Sequence, residues 1–353
     1  MHKIREIFIV AFLIAVSLTP LLRMLAQRFG ILDHPKQHGI HSHPVPRLGG
    51  AALYLAFVIG SLYLMDLSEM LKGVLVGSTL IFITGLVDDI VHLRASFRLA
   101  IQLFACAVMM FKYGVILNVF PHIILNAFFT TLGIIGLTNA INFLDNMDGL
   151  AAGLVMISSL AIAIFAYQTK QYWLGYLSVA LAGGTAGFLV FNLRSSYVFM
   201  GDSGSTFLGF TLASLAVMTE WSHFRSVTIA APMLILGIPI IDMILITVLR
   251  IKEDKVSNLK EWIDYAGKDH LSHRMMRLGL GTRGAVFALW GLQAFFCGVA
   301  LVILSKGPFY GVLGFLFFLF VTAWVIFFFC RKRELILQWN GRSVKRTRRL
   351  IKV

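Results

Sequence analysis

Charge is what this sequence has least of. Only 14% of its 353 residues are Asp, Glu, Lys or Arg, against about 25% in an ordinary soluble domain. Acids are the scarcer sign, 17 against 31 Lys and Arg. So few charges cannot keep a surface of this size wet, which excludes a multidomain soluble enzyme and a disordered chain. Cysteine is nearly absent too. Cys106, Cys297 and Cys330 lie in apolar runs, with no CxxC spacing and no His cluster beside them. That excludes a disulfide scaffold and leaves no redox motif. Internal repeats and low-complexity linkers are also missing.

What is present is apolar sequence. Hydrophobic residues make up 58% of the chain and the mean hydropathy is +0.82. A bilayer crossing takes about 20 residues. Eleven apolar runs answer that description, at roughly 4–22, 48–65, 70–87, 99–117, 120–138, 149–167, 172–191, 205–219, 226–249, 284–305 and 308–330. The expected fold is an all-α polytopic membrane protein with about 11 transmembrane helices. Residues 1–330 form a single transmembrane domain and 331–353 a basic tail. The first run follows Lys3 and Arg5 like a secretory signal, but it is long enough to span and lacks a clear cleavage site, so it reads as a retained helix.

The net charge of +14 has a direction. Of the 31 Lys and Arg, 24 fall in the loops after the odd-numbered helices and in the C-terminal tail. The positive-inside rule places those segments in the cytoplasm, with the N-terminus outside. The tail, with Arg331, Lys332, Arg333 and the run Lys345 to Arg349, is expected on anionic lipid headgroups rather than on nucleic acid. After helix 9, Leu259, Trp262 and Ile263 have the spacing of an interfacial amphipathic helix.

Six of the acids, Asp88, Asp89, Asp145, Asp148, Asp202 and Asp269, sit in or beside the cytoplasmic loops. One loop acid is most simply a solvated charge at a helix end; six on one face of an acid-poor chain need another account. Asp88 and Asp89 are adjacent carboxylates, whose repulsion an arginine or a divalent cation would relieve. Asn139, Asn142 and Asn146 recur at helical spacing around Asp145, an excess of amides suited to a hard cation or a polar ligand. Asp148 has the alternative of capping the next helix ahead of Gly149. The run Gly201-Asp202-Ser203-Gly204-Ser205 offers backbone N–H groups for phosphate, with Asp202 placed to hold a metal against it; a plain capped turn has the same composition. Asp269-His270-Leu271-Ser272-His273-Arg274 lacks the third ligand of a zinc site and suits a diphosphate better. His34, His38, His41 and His43 precede Pro46-Arg47-Leu48-Gly49-Gly50 and read as surface polar residues. Asp242 alone lies well inside an expected span.

Taken together, the segments PRLGG (46–50), GLVDD (85–89), NAINFLDNMDGLAAG (139–153), FMGDSGS (199–205), PIIDMILITVLR (239–250) and DHLSHR (269–274) resemble the polyprenyl-phosphate N-acetylhexosamine-1-phosphate transferases. The resemblance runs in order from about residue 33 to 290. It implies a membrane enzyme with its active site on the cytoplasmic face of the cell membrane. Such an enzyme moves a sugar 1-phosphate from a UDP-sugar to undecaprenyl phosphate and releases UMP, the first membrane step of a cell-envelope polysaccharide. It also implies Mg²⁺, with Mn²⁺ as a substitute, and is compatible with a homodimer. By resemblance Asp202 and Asn142 are metal ligands and Asp88, Asp89 and Asp145 catalytic acids. Arg98 holds the lipid phosphate, while Arg47, Asn139, Asp148, His270, His273 and Arg274 bind substrate.

Three departures qualify this. His92 stands where many members carry a third acid after the DD pair, and Ser272 replaces a histidine. The triple-His stretch and the Lys that mark users of a peptidyl muramic acid donor are absent, which favours UDP-GlcNAc. The rival class is a cation- or proton-coupled transporter, which would place ionisable groups near the membrane midplane, where only Asp242 qualifies.

Overall fold

The computed structural model describes residues 2–34, 43–62, 68–258, 261, 267 and 269–350, with the helical backbone alone beyond Arg331. His38, His41 and the expected amphipathic segment around Leu259, Trp262 and Ile263 lie outside them. The described chain is thirteen helices: α1 (His2–Phe29), α2 (Gly49–Leu62), α3 (Glu69–Val91), α4 (Ala95–Tyr113), α5 (Ile123–Leu144), α6 (Leu150–Gln168), α7 (Tyr172–Asn192), α8 (Gly201–Met218), α9 (Arg225–Ile235), α10 (Gly237–Lys252), α11 (Leu271–Arg277), α12 (Thr282–Leu304) and α13 (Pro308–Leu350). One short antiparallel pair interrupts the all-α plan, β1 (Leu32–Asp33) with β2 (Val45–Pro46).

Among the described residues, eight helices are long and apolar enough to cross a bilayer, and nine spans result if α9 and α10 count as one broken span. The protein is therefore a multi-pass membrane protein. The difference from eleven has a physical source in two expected spans. The described part of α2 is 14 residues long. Helix α8 starts four residues earlier than its apolar run and so takes in Asp202 and the serines beside it. It can carry them because it is the buried centre of the bundle, packed between α3 and α5 and touching α2, α6 and α7. Ser205 Oγ turns back to the Gly201 carbonyl at 2.9 Å and Ser214 Oγ to that of Phe210 at 2.8 Å, which removes the cost of burying them, while Thr211 Oγ1 on the same helix is buried without a partner. Around this centre, α1 lies on α7, where Ala11 and Ala15 sit at 0% exposure against Gly183 and Gly187, small residues that let membrane helices approach closely.

The expected helix over 226–249 is broken. Pro232 removes one backbone donor, and α9 and α10 meet at 80° around Leu236. The freed backbone groups are satisfied by side chains, as an apolar setting demands. Ser158 Oγ on α6 donates to the Ile235 carbonyl at 2.7 Å, Gln293 Nε2 on α12 donates to the same oxygen at 2.5 Å, and the Ile238 N–H donates to Gln293 Oε1 at 3.0 Å. The break re-aims α10, which carries Asp242 and Arg250. Beyond residue 330, α13 continues as helix to Leu350.

Candidate active site

The loop that follows α7 is built onto β2. The Phe199 N–H donates to the Pro46 carbonyl at 2.8 Å, and the Gly49 and Gly50 N–H groups donate to the carbonyls of Phe199 and Met200 at 3.0 and 2.9 Å. Arg47 is thereby set beside the start of α8. Its guanidinium nitrogens lie 3.6 Å from Asp33, 3.8 Å from Asp89 and 3.9 Å from Asp202. These are ion-pair distances too long for hydrogen bonds, and Arg47 Nε is buried with no hydrogen-bond partner. An orphaned buried donor of this kind suits an incoming anion.

The acidic pair at the end of α3 divides its work. Asp88 Oδ2 accepts from Arg98 Nη1 at 2.6 Å and Oδ1 from the Leu93 N–H at 2.6 Å. Asp89 turns the other way and caps α8, Oδ1 accepting the Asp202 N–H at 2.8 Å and Oδ2 the Ser203 N–H at 3.0 Å. A carboxylate on the first N–H groups of a helix is where helix electrostatics favours it. Glycine permits the contact. Gly201 has φ +70° and a Cβ there would fall on the Asp89 carboxylate, while a Cβ on Gly85 would sit 2.5 Å from Ser203 Cα. The expectation that the Gly201–Ser205 turn offers free N–H groups to phosphate is therefore corrected: Asp89 takes those of Asp202 and Ser203, and the Gly204 N–H donates to the Met200 carbonyl.

Asp202 stands at the meeting point. Asn142 Nδ2 on α5 donates to its Oδ1 at 2.9 Å, and Arg98 Nη1 lies 3.8 Å from the same oxygen. Asp145 ends α5 half-buried. Among the described residues its carboxylate makes no hydrogen bond or ion pair. Desolvation, then the charge of Asp202, pushes its pKa well above the ordinary range, with Asp148 and Asp89 adding and Arg47 opposing. No group of three His, Cys, Asp or Glu among the described residues is arranged to hold a metal. The oxygens of Asp202, Asn142 and Asp145 do match the hard, sparse protein ligation of Mg²⁺, which keeps waters and phosphate oxygens for most of its shell. The donor set fits that ion and not zinc.

Beside them lies a cavity of about 920 Å³, at the upper end of the roughly 300–1,000 Å³ usual for small-molecule sites; Gly201 lines it, while Asp88, Asp89, Arg98 and Asp202 do not. Of the expected site residues, Arg47, Asn142, Asp145, Asp148, His270 and His273 line it. Asp148 does not cap α6; its Oδ2 accepts the Ser196 N–H at 3.1 Å and ties the loop after α7 to the loop after α5. Two expected substrate residues point elsewhere. Asn139 Nδ2 donates to Gln102 Oε1 on α4 at 3.0 Å and to the Ile135 carbonyl at 2.8 Å, a link between helices. Arg274 Nε donates to the Asp269 carbonyl at 2.7 Å and its guanidinium lies over the Phe329 ring, 5.7 Å from the centroid.

Other cavity residues are ones that the sequence reading does not reach. Asp33, Asn192, Ser195, Ser196, Arg250, Thr282 and Arg283 all contribute to the wall. Asn192 joins two motifs, accepting the Gly149 N–H at 2.8 Å and donating to the Val198 carbonyl at 3.0 Å. Ser272 Oγ, in the place of a histidine, donates to Asn146 Oδ1 at 2.8 Å. Asp269 accepts two bonds from Arg250, at 2.9 Å each. Nothing in sequence spacing announces these pairings, although Asp33, Arg250 and Ser272 flank or fall within the quoted segments.

A chain-wide comparison decides the family. A Bacillus subtilis strain 168 protein, named as a probable undecaprenyl-phosphate N-acetylglucosaminyl 1-phosphate transferase, is 31% identical over 92% of both chains. The chain belongs to glycosyl transferase family 4. The profile of that family matches residues 71–220, which hold the acidic pair, the Asn-rich motif and the Asp202 turn. A decaprenyl-phosphate N-acetylglucosaminephosphotransferase of Mycobacterium tuberculosis is 31% identical over 83% of this chain and 82% of its own. The undecaprenyl-phosphate alpha-N-acetylglucosaminyl 1-phosphate transferase of Escherichia coli K12 is 25% identical over 94% and 90%. Enzymes of family 4 of this type are generally Mg²⁺-dependent.

Proposed function

We propose that this protein transfers N-acetylglucosamine 1-phosphate from UDP-GlcNAc to a polyprenyl phosphate, undecaprenyl phosphate in the first instance, releasing UMP. The observation that carries the reading is the convergence of four separate loop motifs on one cavity, in a chain similar along nearly its whole length to proteins named for that transfer.

The chemistry follows from charge. An oxygen of the lipid phosphate attacks the β-phosphorus of the donor; a new P–O bond forms, the bond from β-phosphorus to the bridging oxygen breaks, and UMP leaves with that oxygen. A phosphate monoester with a second pKa near 6 is already largely ionised at neutral pH, so no strong base is required. What must be overcome is the approach of two anions. Arg47 and Arg98 serve that purpose, Arg98 for the acceptor phosphate and Arg47, with its unpartnered Nε, for the donor. Mg²⁺ held by Asp202 and Asn142, with Asp145 beside them, supplies further charge neutralisation on the diphosphate when bound; Mn²⁺ is expected to substitute. Asp88 steadies Arg98 and Asp89 the start of α8. With both oxygens of each engaged, direct in-line displacement is favoured over a covalent aspartyl intermediate. Asp148, His270 and His273 line the space for the nucleotide-sugar.

The basic loops support a cytoplasmic active site, eleven crossings, an outside N-terminus and a cytoplasmic tail lying on anionic lipid. A homodimer is compatible with this arrangement. The test is UMP release by the purified protein with undecaprenyl phosphate, Mg²⁺ and a panel of UDP-sugars. UDP-GlcNAc is expected to be the productive donor, and Asp202→Asn to abolish release while the protein stays folded. Wild-type turnover by that variant would refute the assignment of Asp202, and no release with any donor would favour the transporter reading.

A further inference from the structure

Asp242 is the acid that the transfer chemistry leaves unused. It lies on α10, two helical turns before Arg250, and is 1% exposed. An ionisable group is costly to bury in an apolar bundle unless it is paired, and it marks function by default. Both of its oxygens are taken by one short segment. Oδ2 lies 2.7 Å from His270 Nδ1, and Oδ1 accepts the Leu271 N–H at 2.6 Å. The second bond is scaffolding, since it caps the start of α11. The first is different in kind, because His270 belongs to the cavity wall and Asp242 does not.

With the Asp242 oxygen as acceptor in this contact, the proton belongs to Nδ1. The chemistry that His270 offers the cavity then resides at Nε2. The ring has little freedom to choose otherwise: Phe143 lies against it with centroids 5.6 Å apart, and Asp269, the preceding residue, is held by Arg250 on the same helix α10. The broken helix presents two acceptor–donor pairs to consecutive residues of the loop.

We propose that Asp242 is a positioning residue for the transfer, fixing the ring orientation and tautomer of His270 so that Nε2 faces the diphosphate of the nucleotide-sugar. It acts through His270 and touches no reacting atom. Asp242→Asn separates this from scaffolding. The amide keeps an acceptor for the Leu271 N–H but offers an N–H to Nδ1, which moves the imidazole proton to Nε2. The same logic governs a carboxylate behind a catalytic histidine in serine proteases.

The inference rests on the transferase reading, and wild-type protein assayed alongside keeps the two apart: no UMP from wild type fails that reading, not the dyad. With active wild type, Asp242→Asn is expected to lower kcat by about 100-fold, the order of a misplaced catalytic contact, with KM for UDP-GlcNAc changed less than about threefold. In a His270→Ala background the same substitution should have no further effect, because residues acting as one unit are not additive. An Asp242→Asn loss that multiplies with that of His270→Ala, or an unchanged kcat, overturns the proposal. Should Asp242→Asn not fold, ¹⁵N NMR of histidine-labelled wild type, with His270→Ala to assign the signal, answers independently. A proton on Nδ1 is expected, and a bare Nδ1 refutes the dyad.

Discussion

The buried pair Arg250–Asp269 allows a stability prediction to be worked from geometry. Arg250 is 1% exposed and Asp269 5%, and the guanidinium Nε and Nη2 donate to the two carboxylate oxygens at 2.9 Å each. Burial by itself raises the Asp269 pKa; the hydrogen bonds and charge of Arg250, with His270 adding, more than reverse this and hold it below its ordinary value. Asp269→Asn preserves size, turns one acceptor into a donor aimed at the guanidinium, and removes the countercharge. Losing one charge-assisted hydrogen bond costs roughly 1.5–3 kcal/mol, and stranding a buried charge brings the expected total to about 3–5 kcal/mol.

The assay is thermal unfolding of the purified protein in detergent, followed with a thiol-reactive dye, since Cys106 and Cys297 are free and buried. Asp269→Asn should unfold well below wild type. Arg250→Met with Asp269→Leu should recover most of the loss, because replacing a whole buried pair by apolar groups is often neutral or better. The pH dependence has a definite sign. A carboxylate whose pKa falls on folding contributes its stability above its unfolded pKa and loses it as pH drops through the folded value. The gap between wild type and Asp269→Asn therefore stays constant from neutral pH down to the ordinary carboxylate range and narrows only below it. An unchanged midpoint at neutral pH, or a gap that closes between pH 7 and 6, would refute the reasoning.

Asp145→Asn should do the opposite to stability while destroying activity. Desolvation and Asp202 raise the Asp145 pKa, so its charged form destabilises the Mg²⁺-free fold increasingly as pH rises through the folded value, and the variant should gain in thermal midpoint over that range; a lower midpoint would count against it. A cysteine introduced at Ser257, exposed in the segment after α10, should resist impermeant thiol reagents in intact cells and react in inverted vesicles, and ready labelling from outside would overturn the cytoplasmic placement.

Much of the architecture was legible because apolar run length and loop charge are one-dimensional signals. The breaks after Gln168 and Asn192 fall within a residue of where hydropathy places them, whereas α5 runs six residues past its expected end at 138, through the Asn-rich motif. Helix α8 escaped that reading because hydropathy counts Asp202 and its serines as loop, whereas burial inside the bundle lets their hydroxyls bond to the helix itself. The α9–α10 break is invisible for a related reason: the Ser158 and Gln293 groups that stabilise it come from other helices. In the site, residue types were legible and their directions were not. Asp88 and Asp89 look equivalent as a pair, yet on a helix successive side chains diverge by about 100°, the angle implied by 3.6 residues per turn. One therefore meets Arg98 and the other α8.

That divergence explains how a site built for two anions can afford so many acids. Asp88 is matched by Arg98, Asp89 by the first N–H groups of α8, and Asp148 by the Ser196 N–H. Asp242 is matched by His270 and Leu271, and Asp269 by Arg250. Each satisfied carboxylate fixes one segment relative to another, and together they join the loops after α3, α5 and α7 to α8, α10 and α11. What remains is Asp202, held by one amide with two arginines beyond hydrogen-bond reach, and Asp145, raised in pKa by desolvation and then by the charge of Asp202. A cation brought in with a diphosphate has most to gain at the carboxylates that the fold has left least neutralised. On the proposed function, the acids with protein partners build the site, and these two are left for the ligand.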